Sequence, residues 1–487
     1  MRALPAIACA LLTGCAGTAP APPQFAAAPI PPAWSEAAPA PLLNGTTSVW
    51  PTLFDDPILS SLMERAALAN LDLWLADARL REVRSQADVV GAAGQSALNV
   101  NASYARERDS QNVPQPLQVG RSGTVEPPSG RAESVYRVGI DAAWDIDLFG
   151  ARSHAADAVH AEAQASGHAR DAVLRTVCAA VAYQYVVLRA AQQQGLLARA
   201  DLAAQTDLLA LLRARLTGGM GAASDAAQEV ARAADQVARL AAQDADHALE
   251  AKRAMHRLGV LLGQPTRALL GELGAVRPIP RARAALPLVM PSELLRRRPD
   301  IARVEQQLAA ASARREAAIA ELFPRLSLNG AAGLASVSAG ELLSSASLLT
   351  RIGPTLSWPI LRRQQITATI AVRQAQQEIL FVQYRQAVAA AFEDVENALA
   401  ALAAASAKNV AMTSAVRERA LALELASARY RGGMSDLRSV RDGEHALAQA
   451  RSEHASSEAA LASAAIALFN AAGGNWTPAA PSTPTEG

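Results

Sequence analysis

The chain repeats itself once along its length, and this internal repeat is the feature that most restricts its fold. Residues 214–220 (ARLTGGM) recur as residues 428–434 (ARYRGGM), an offset of 214 positions. Trp144, at the end of an alternating stretch, recurs as Trp358 at the same offset. Because a repeat of this kind normally encodes one structural unit used twice, we expect two copies of the same arrangement of helices and strands.

Each half is predicted to contain, in order, a helix, a strand, a loop, a strand, a very long helix, a turn and a helix. Residues 98–101 (LNVN) recur as residues 326–329 (LSLN), but at an offset of 228. The larger offset means that the first half carries extra residues between these landmarks. The Pro- and Gly-rich segment near residues 105–134 is the loop that accommodates them.

Four segments alternate between apolar and polar residues with the two-residue period of a β-strand. In the second of them, Val138 and Ile140 oppose Asp141 and Asp145. Four strands cannot close a barrel, and open sheet edges are not tolerated in lipid. The strands therefore either cover a soluble core or are shared between chains, and three chains would give twelve strands, an even number that membrane barrels allow.

Two aromatic and two acidic residues on these strands have expected positions in a barrel. Trp144 and Trp358 end their strands, where interfacial aromatic residues lie in membrane barrels. Asp141 and Asp145, on the polar face, would line the lumen. The alternatives are a soluble sandwich with Trp in its core and a plain polar surface, and the patterning alone does not separate them.

Residues 151–216 and 361–431 are predicted to form two very long helices. At 1.5 Å per residue each is on the order of 100 Å long. Both end at a glycine pair, Gly218-Gly219 and Gly432-Gly433, after which a second helix returns. The second helix carries a heptad seam formed by Phe381, Val388, Phe392, Val395, Leu399 and Leu402. Two helical hairpins in each of three chains would make a twelve-helix tube; a soluble helical rod is the alternative.

The N-terminus carries the pattern of a lipoprotein signal. Arg2 precedes a short apolar run over residues 4–12, and residues 12–15 (LTGC) lead into Cys15, the expected lipidated N-terminus. An ordinary secretory signal is the alternative. Residues 16–49 are rich in Pro and Ala and are predicted to be an extended tether. No later apolar run of about eighteen residues is evident, so no transmembrane helix is expected.

Composition and motifs exclude several classes of protein. The net charge of +1 gives no indication of nucleic-acid binding. The seven histidines are scattered along helices and are interpreted as solvated, and no metal-ligand set is recognisable. Of the three cysteines only Cys178 remains beside Cys15 in the mature chain, so no intramolecular disulfide is expected. We predict no catalytic site, no cofactor and no enzymatic activity.

Several segments together resemble one known family. Residues 291–301 (PSELLRRRPDI), 323–328 (FPRLSL), 144–150 (WDIDLFG) and 429–433 (RYRGG) are similar to signatures of TolC-like outer-membrane factors. With Cys15, the nearest branch is the NodT-type efflux lipoproteins. The resemblance implies a mainly α trimer whose shared twelve-stranded β-barrel in the outer membrane stands on a long α-helical barrel. It also implies partnership with a periplasmic adaptor (membrane fusion) protein, an inner-membrane efflux pump and outer-membrane lipid.

The resemblance further implies a periplasmic gate at the hairpin turns, residues 217–225 and 431–442. A ring of carboxylates in a narrow bore would favour cations, and crowding would raise the pKa values of those carboxylates. The gate candidates are Asp436, Asp442, Arg429, Tyr430, Arg438 and Arg441. The alternative is that these charges belong to a solvated helix end.

We therefore expect a passive outer-membrane channel for small molecules such as drugs or other toxic compounds, within a tripartite efflux system. The outer-membrane duct of a type I protein secretion system is the first alternative, and a lipid-tethered periplasmic coiled-coil scaffold is the second. The predicted divisions are a signal peptide (1–14), a lipidated Cys and tether (15–49), a first repeat (50–263), a linker (264–290), a second repeat (291–474) and a loose tail (475–487).

Overall fold

The computed structural model covers most of the two predicted repeats. The described residues are 34–35, 54–93, 96–108, 118–119, 125–126, 132–218, 223–282 and 291–474. Cys15, nearly all of the predicted tether, Gly219 and the predicted tail lie outside them.

Helices make up most of the described chain, as the sequence predicts. The two longest correspond to the predicted long helices and contain 67 and 69 residues. The α-helices are α1 (Pro57–Ala69), α2 (Leu71–Ala93), α3 (Ala151–Thr217), α4 (Ala223–Leu261), α5 (Leu270–Leu273), α6 (Pro291–Arg297), α7 (Pro299–Ala320), α8 (Arg363–Arg431) and α9 (Leu437–Ala471). Single 3₁₀ turns occur at Thr266–Leu269, Ala339–Glu341, Ser345–Ser347 and Ile360–Arg362.

The two longest helices are more apolar than we expected. Helix α3 and the segment Ile360–Arg431, which includes α8, each contain an eighteen-residue window with a mean hydropathy of 1.3. The expectation that no such apolar run follows the signal is therefore wrong. Alanine is the reason, because it raises the hydropathy of a helix without adding a large side chain. Core helices of soluble proteins contain similar windows, so length and composition alone do not make these helices membrane spans.

The predicted strands form one four-stranded antiparallel sheet in the order β1-β4-β5-β6. A separate pair of two-residue strands lies in the sequence between β1 and β4. The strands are β1 (Ala97–Arg108), β2 (Gln118–Val119), β3 (Val125–Glu126), β4 (Ala132–Ile146), β5 (Arg325–Ser336) and β6 (Leu348–Ser357).

The register of this sheet places most of its large apolar side chains on one face. One row across the four strands consists of Leu98, Ala142, Gly330 and Ile352. The next row, on the opposite face, consists of Asn99, Asp141, Ala331 and Arg351. The predicted alternation is confirmed, and the four strands alternate in phase. The apolar face is open in the single chain, since Ile352 is 81% exposed.

The chain divides into two compact units. The sheet unit comprises Glu82–Ala163 and Gln306–Phe381, and it has a small core around Ile366 and Ile370. The helical unit comprises the described parts of Ala26–Arg81, Gln164–Glu305 and Val382–Gly487. It contains two larger cores, and Val388, Val395 and Leu399 of the predicted heptad seam are buried in one of them.

Two joints in the helical unit are built alike. Asn70 separates α1 from α2; its side chain accepts from the Leu73 amide at 3.1 Å and donates to the Leu261 carbonyl, at the end of α4, at 2.8 Å. Arg298 separates α6 from α7 and donates to the Ala471 carbonyl, at the end of α9, at 3.3 Å. In both cases, the end of a returning helix is held by a side chain from the break between two other helices.

A cluster of charges holds the second joint. Arg298 donates to Asp300 at 2.6 Å and to Asp394 at 2.9 Å, and Arg175 donates to the Asn470 carbonyl at 3.2 Å. Burial alone would raise the pKa of Asp300, but the hydrogen bond and the charge of Arg298 lower it more, so its carboxylate stays ionised. The two arginines also face the partial negative charge at the C-terminus of α9.

The first joint yields a prediction about stability. Gly263 has φ +60°, and a Cβ there would lie 2.5 Å from the Ala69 carbonyl oxygen. We expect Gly263→Ala to lower the free energy of unfolding by about 1–3 kcal/mol, the usual cost of such strain, measured as a lower thermal midpoint in detergent. Gly271→Ala is the matched control because a Cβ there meets no atom within 4 Å. Equal midpoints for the two variants would contradict the prediction.

Candidate functional site

The turn after α8 is a glycine-terminated helix end of the Schellman type. The Gly433 amide donates to the Tyr430 carbonyl and the Met434 amide donates to the Arg429 carbonyl, each at 2.9 Å. Gly433 has φ +71°, which glycine adopts with little strain. Helix α8 ends at Arg431, directly before the Gly432-Gly433 pair. At the first turn, the Gly218 amide bonds to the Ala214 carbonyl at 2.9 Å and so completes the end of α3.

Asp436 begins the returning helix. Its side chain accepts hydrogen bonds from the Ser439 amide at 3.0 Å and from the Ser439 hydroxyl at 2.7 Å, so it is the N-cap of α9. These bonds lower the pKa of Asp436, although its side chain is exposed. We expected crowding in a ring of three carboxylates to raise this pKa. Within one chain, the cap has the opposite effect.

The other gate candidates surround this cap. Arg441 pairs with Glu444 at 2.7 Å, and the positive charge of Arg438 further lowers the pKa of Asp436. Asp442 is exposed and makes no hydrogen bond or ion pair with the residues described. Arg429 and Tyr430 are exposed, and no such bond joins either side chain to Asp436 or Asp442 in the described chain. The six residues thus lie around the turn between α8 and α9, and hydrogen bonds or ion pairs involve only some of them.

The whole turn is not acidic. Residues 429–444 contain four arginines and three carboxylates. Of the two acidic candidates, Asp436 caps α9. Asp442 has no hydrogen-bond or ion-pair partner among the described residues.

Two histidines that we interpreted as solvated contact other helices. His445 of α9 lies 3.4 Å from a carboxylate oxygen of Asp201 in α3, and the Asp201 side chain is only 11% exposed. His454 lies 3.1 Å from the Thr413 hydroxyl of α8. These contacts join residues far apart in the sequence, which is why local spacing did not reveal them.

The lumen candidates lie on the polar face of the sheet, as their alternation predicts. Asp141 accepts a hydrogen bond from Asn101 of the neighbouring strand, and Asp145 forms an ion pair with Arg152. Trp144 lies on the apolar face and is 49% exposed. Trp358 directly follows β6; it is half-buried, and its ring N–H donates to the Leu322 carbonyl at 3.0 Å.

Asp147 is a structural residue that we did not single out. Its carboxylate accepts from the amides of Arg152 at 3.1 Å and Ser153 at 2.8 Å, at the start of α3. Burial alone would raise its pKa, but these amide bonds lower it. Gly150, with φ +78°, makes the turn between them. The Asp147 side chain thus satisfies two first-turn amides of α3 from outside the helix, and this contact accounts for the acidic residue in residues 147–150 (DLFG).

The described residues include no group of three His, Cys, Asp or Glu side chains placed to hold a metal ion. Cys178 is buried, and burial raises the pKa of its thiol to about 12, so it is protonated at neutral pH.

A two-faced sheet that is open at its apolar face, combined with very long helices, defines a class of membrane export channels, and comparison with known proteins identifies the family. The model of the family described as "Outer membrane efflux protein" matches residues 62–264 and 290–474, and the chain belongs to this family. It functions as the outer-membrane channel of an efflux system.

Individual relatives agree with this assignment. The chain is 30% identical over 487 residues to the pyoverdine export outer membrane protein OpmQ of Pseudomonas aeruginosa, covering 98% of this chain and 97% of that protein. It is 24% identical over 476 residues to nodulation protein T of Rhizobium leguminosarum bv. trifolii, covering 96% of each. The solved structure of the outer-membrane channel OprN matches with a TM-score of 0.81 and 29% identity, covering 94% of this chain and 100% of that one.

These findings confirm the predicted resemblance to outer-membrane factors, the efflux function and the outer-membrane location. They also confirm that the fold is mainly helical and similar to that of such channels.

Proposed function

We propose that three copies of this chain form one duct, in which their sheets join edge to edge into a twelve-stranded barrel. The observation that carries this proposal is the sheet itself. In the described chain β1 and β6 each pair on one side only. Their unpaired backbone groups cannot remain in lipid without partners. A second copy whose β1 lies beside β6 supplies those partners, and three copies give an even strand number.

The orientation of the barrel follows from the two faces of the sheet. The face with Leu98 and Ile352 meets lipid, and the face with Asn99, Asp141 and Arg351 meets water. Asp141 and Asp145 line the lumen in this arrangement. Trp144 and Trp358 lie near the interface between hydrocarbon and headgroups, at the end of the sheet from which α3 and α8 begin.

The helical hairpins α3-α4 and α8-α9 form the periplasmic tube, with the two halves of the chain as structural repeats. Their turns form its tip, where a periplasmic adaptor protein docks and links the duct to an inner-membrane pump. Exposed apolar side chains support docking at this tip, since Tyr430 is 43% exposed and Met434 69% exposed. The duct itself conducts passively and has no enzymatic role.

Small molecules are the cargo that we propose. The relative OpmQ is named for the export of pyoverdine, and this chain belongs to a family of outer membrane efflux proteins. Protein secretion is the alternative, and it would use the same duct with a different inner-membrane pump.

Electron microscopy of the detergent-solubilised protein tests the assembly. We expect hollow particles with threefold symmetry and a tube on the order of 100 Å long, as the helix rise requires. Phe392→Tyr, a change inside the helical unit and away from the sheet, should leave the symmetry unaltered and serves as a handling control. Monomeric particles without a bore would overturn the proposal.

The gate is proposed to depend on Asp442 more than on Asp436. The Asp442 carboxylate has no hydrogen-bond or ion-pair partner among the described residues, whereas that of Asp436 caps α9. We expect Asp442→Asn to raise conductance and to relax cation preference in planar bilayers, because it removes a charge from the bore. Asp436→Asn keeps an N-cap residue and should change both quantities less. A larger effect from Asp436→Asn, or none from either variant, would show the assignment to be wrong.

The N-terminal anchor is a further part of the proposal, carried by the sequence alone. Lipidation of Cys15 would hold the tether at the outer membrane. We expect Cys15→Ala to allow trimers to form but to lower the amount of channel in outer-membrane fractions. Cys178→Ala is the control for loss of a cysteine. Normal outer-membrane levels of Cys15→Ala would show that the lipid is dispensable.

A further inference from the structure

One end of the sheet carries a group of apolar side chains that are exposed in the single chain and have no part in the conduction or gating proposed above. Leu148 and Phe149 follow β4, Phe323 precedes β5, and Ile360 and Leu361 follow β6. Because β4 and β6 end where β5 begins, all five residues lie just beyond the same end of the sheet. We refer to them as the rim residues.

The rim residues are exposed to an extent that packing within the sheet unit does not account for. Leu361 is 99% exposed, Ile360 66% and Leu148 59%. Phe149 and Phe323 stack on each other with ring centroids 4.7 Å apart, yet each remains more than 40% exposed. Stacking gives this pair a fixed shape, and the outward surface of both rings stays open to a partner.

Two arginines follow the rim residues directly in the sequence. Arg362 and Arg363 are exposed, and neither side chain makes an ion pair with another residue of the described chain. They precede and begin α8, whose first turn contains no acidic residue. Cations at the start of a helix oppose its dipole, so the stability of α8 does not explain them. Their charge suits an anionic partner outside the chain.

The loop between β5 and β6, at the opposite end of the sheet, has the other charge pattern. It also exposes apolar side chains, with Leu343 86% exposed. However, residues 337–347 contain one glutamate and no basic residue. The rim therefore combines exposed apolar side chains with arginines that form no ion pair in the described chain. The loop at residues 337–347 lacks this combination.

We propose that the rim residues, with Arg362 and Arg363, form an anchor in the phospholipid leaflet of the outer membrane. Leu148, Ile360 and Leu361 enter the outer edge of the hydrocarbon, and the two guanidinium groups bind lipid phosphates just outside it. Arginine suits this role because it presents a planar set of donors to phosphate oxygens. Long cationic side chains next to apolar anchors extend in this way from hydrocarbon to headgroups.

The occupant is a phospholipid leaflet because the chain is an outer-membrane protein. The rim residues lie just beyond one end of the strands whose apolar face meets lipid in the proposed barrel. The inference rests on the proposed function, since it requires that the apolar face of the sheet meets lipid. The anchor would set the depth at which the duct sits in the membrane.

Depth-dependent quenching tests the anchor. Single variants Leu361→Cys, Ile352→Cys and Arg417→Cys are labelled with the fluorophore NBD and reconstituted into vesicles of phosphatidylcholine and phosphatidylglycerol. The vesicles carry nitroxides either near the headgroup or near the end of the acyl chain. The parent chain, labelled in the same way, gives the background from its own cysteines.

We expect the label at residue 361 to be quenched most by the shallow nitroxide and the label at residue 352, within β6, most by the deep one. The label at residue 417, on the exposed part of α8, should not be quenched. Quenching at 352 without quenching at 361 would overturn the anchor and leave the proposed barrel intact. No quenching at either position would instead overturn the proposed orientation of the sheet.

A second variant tests the phosphate contacts separately. In the Leu361→Cys chain, the double variant Arg362→Gln/Arg363→Gln is compared with Arg417→Gln/Arg419→Gln, which removes two other exposed charges farther along α8. We expect shallow quenching at 361 to increase with the fraction of phosphatidylglycerol, and this increase to be lost only in the first pair. If the parent chain shows no such increase, the arginine part of the anchor is wrong.

Discussion

A sheet with two unpaired edges and one open apolar face depends on its surroundings for stability. Edge amides and carbonyls need hydrogen-bond partners, and the apolar face needs a cover other than water. In the described chain the four strands receive neither from their own unit. The strand register strengthens this requirement, because the four strands direct most of their large apolar residues to the same side. In the proposed trimer, membrane insertion and edge-to-edge strand pairing between copies would satisfy both needs at once.

The helical unit solves a different problem, that of stopping and turning very long helices at fixed points. Glycines with positive φ end α8 and lie just beyond α4 and α9, and side chains at two helix breaks hold the carbonyls of the returning helices. The two joints use different chemistry for the same task. Asn70 is neutral, whereas Arg298 is held in a network with Asp300 and Asp394. The second joint therefore depends on the ionisation of its carboxylates and the first does not.

Much of this fold could be predicted from sequence because its signals are periodic. The alternation from Val138 to Ile146 has a period of two, the seam from Val388 to Leu402 follows a heptad, and Gly432-Gly433 ends a helix for a local reason. These features depend on near neighbours along the chain. The lengths of α3 and α8 followed from the same signals, and their ends differ from the predicted ones by at most two residues.

The features that were missed depend on the exact first residue of a helix or on distant contacts. Asp436 was assigned to a gate by its charge, and only the start of α9 at Leu437 reveals it as a cap. Asp147 was overlooked for the same reason. The contact between His445 and Asp201 joins two helices whose relative rotation no local pattern defines. The mean hydropathy of the apolar windows in α3 and α8 was underestimated because it comes from many alanines rather than from a few large apolar residues.

The common phase of the four strands also limits how such a chain can change in length. A single residue inserted within β4 would move Asp141 or Asp145 to the apolar face of the sheet and apolar neighbours to its polar face, because strand faces alternate with every residue. The loops obey no such rule. The connection from Arg108 to Ala132 is longer than that from Ser336 to Leu348, yet each connection joins two neighbouring strands of the same sheet. In related chains we therefore expect insertions and deletions to occur mainly in the loops. The strands should differ in sequence but keep the same length.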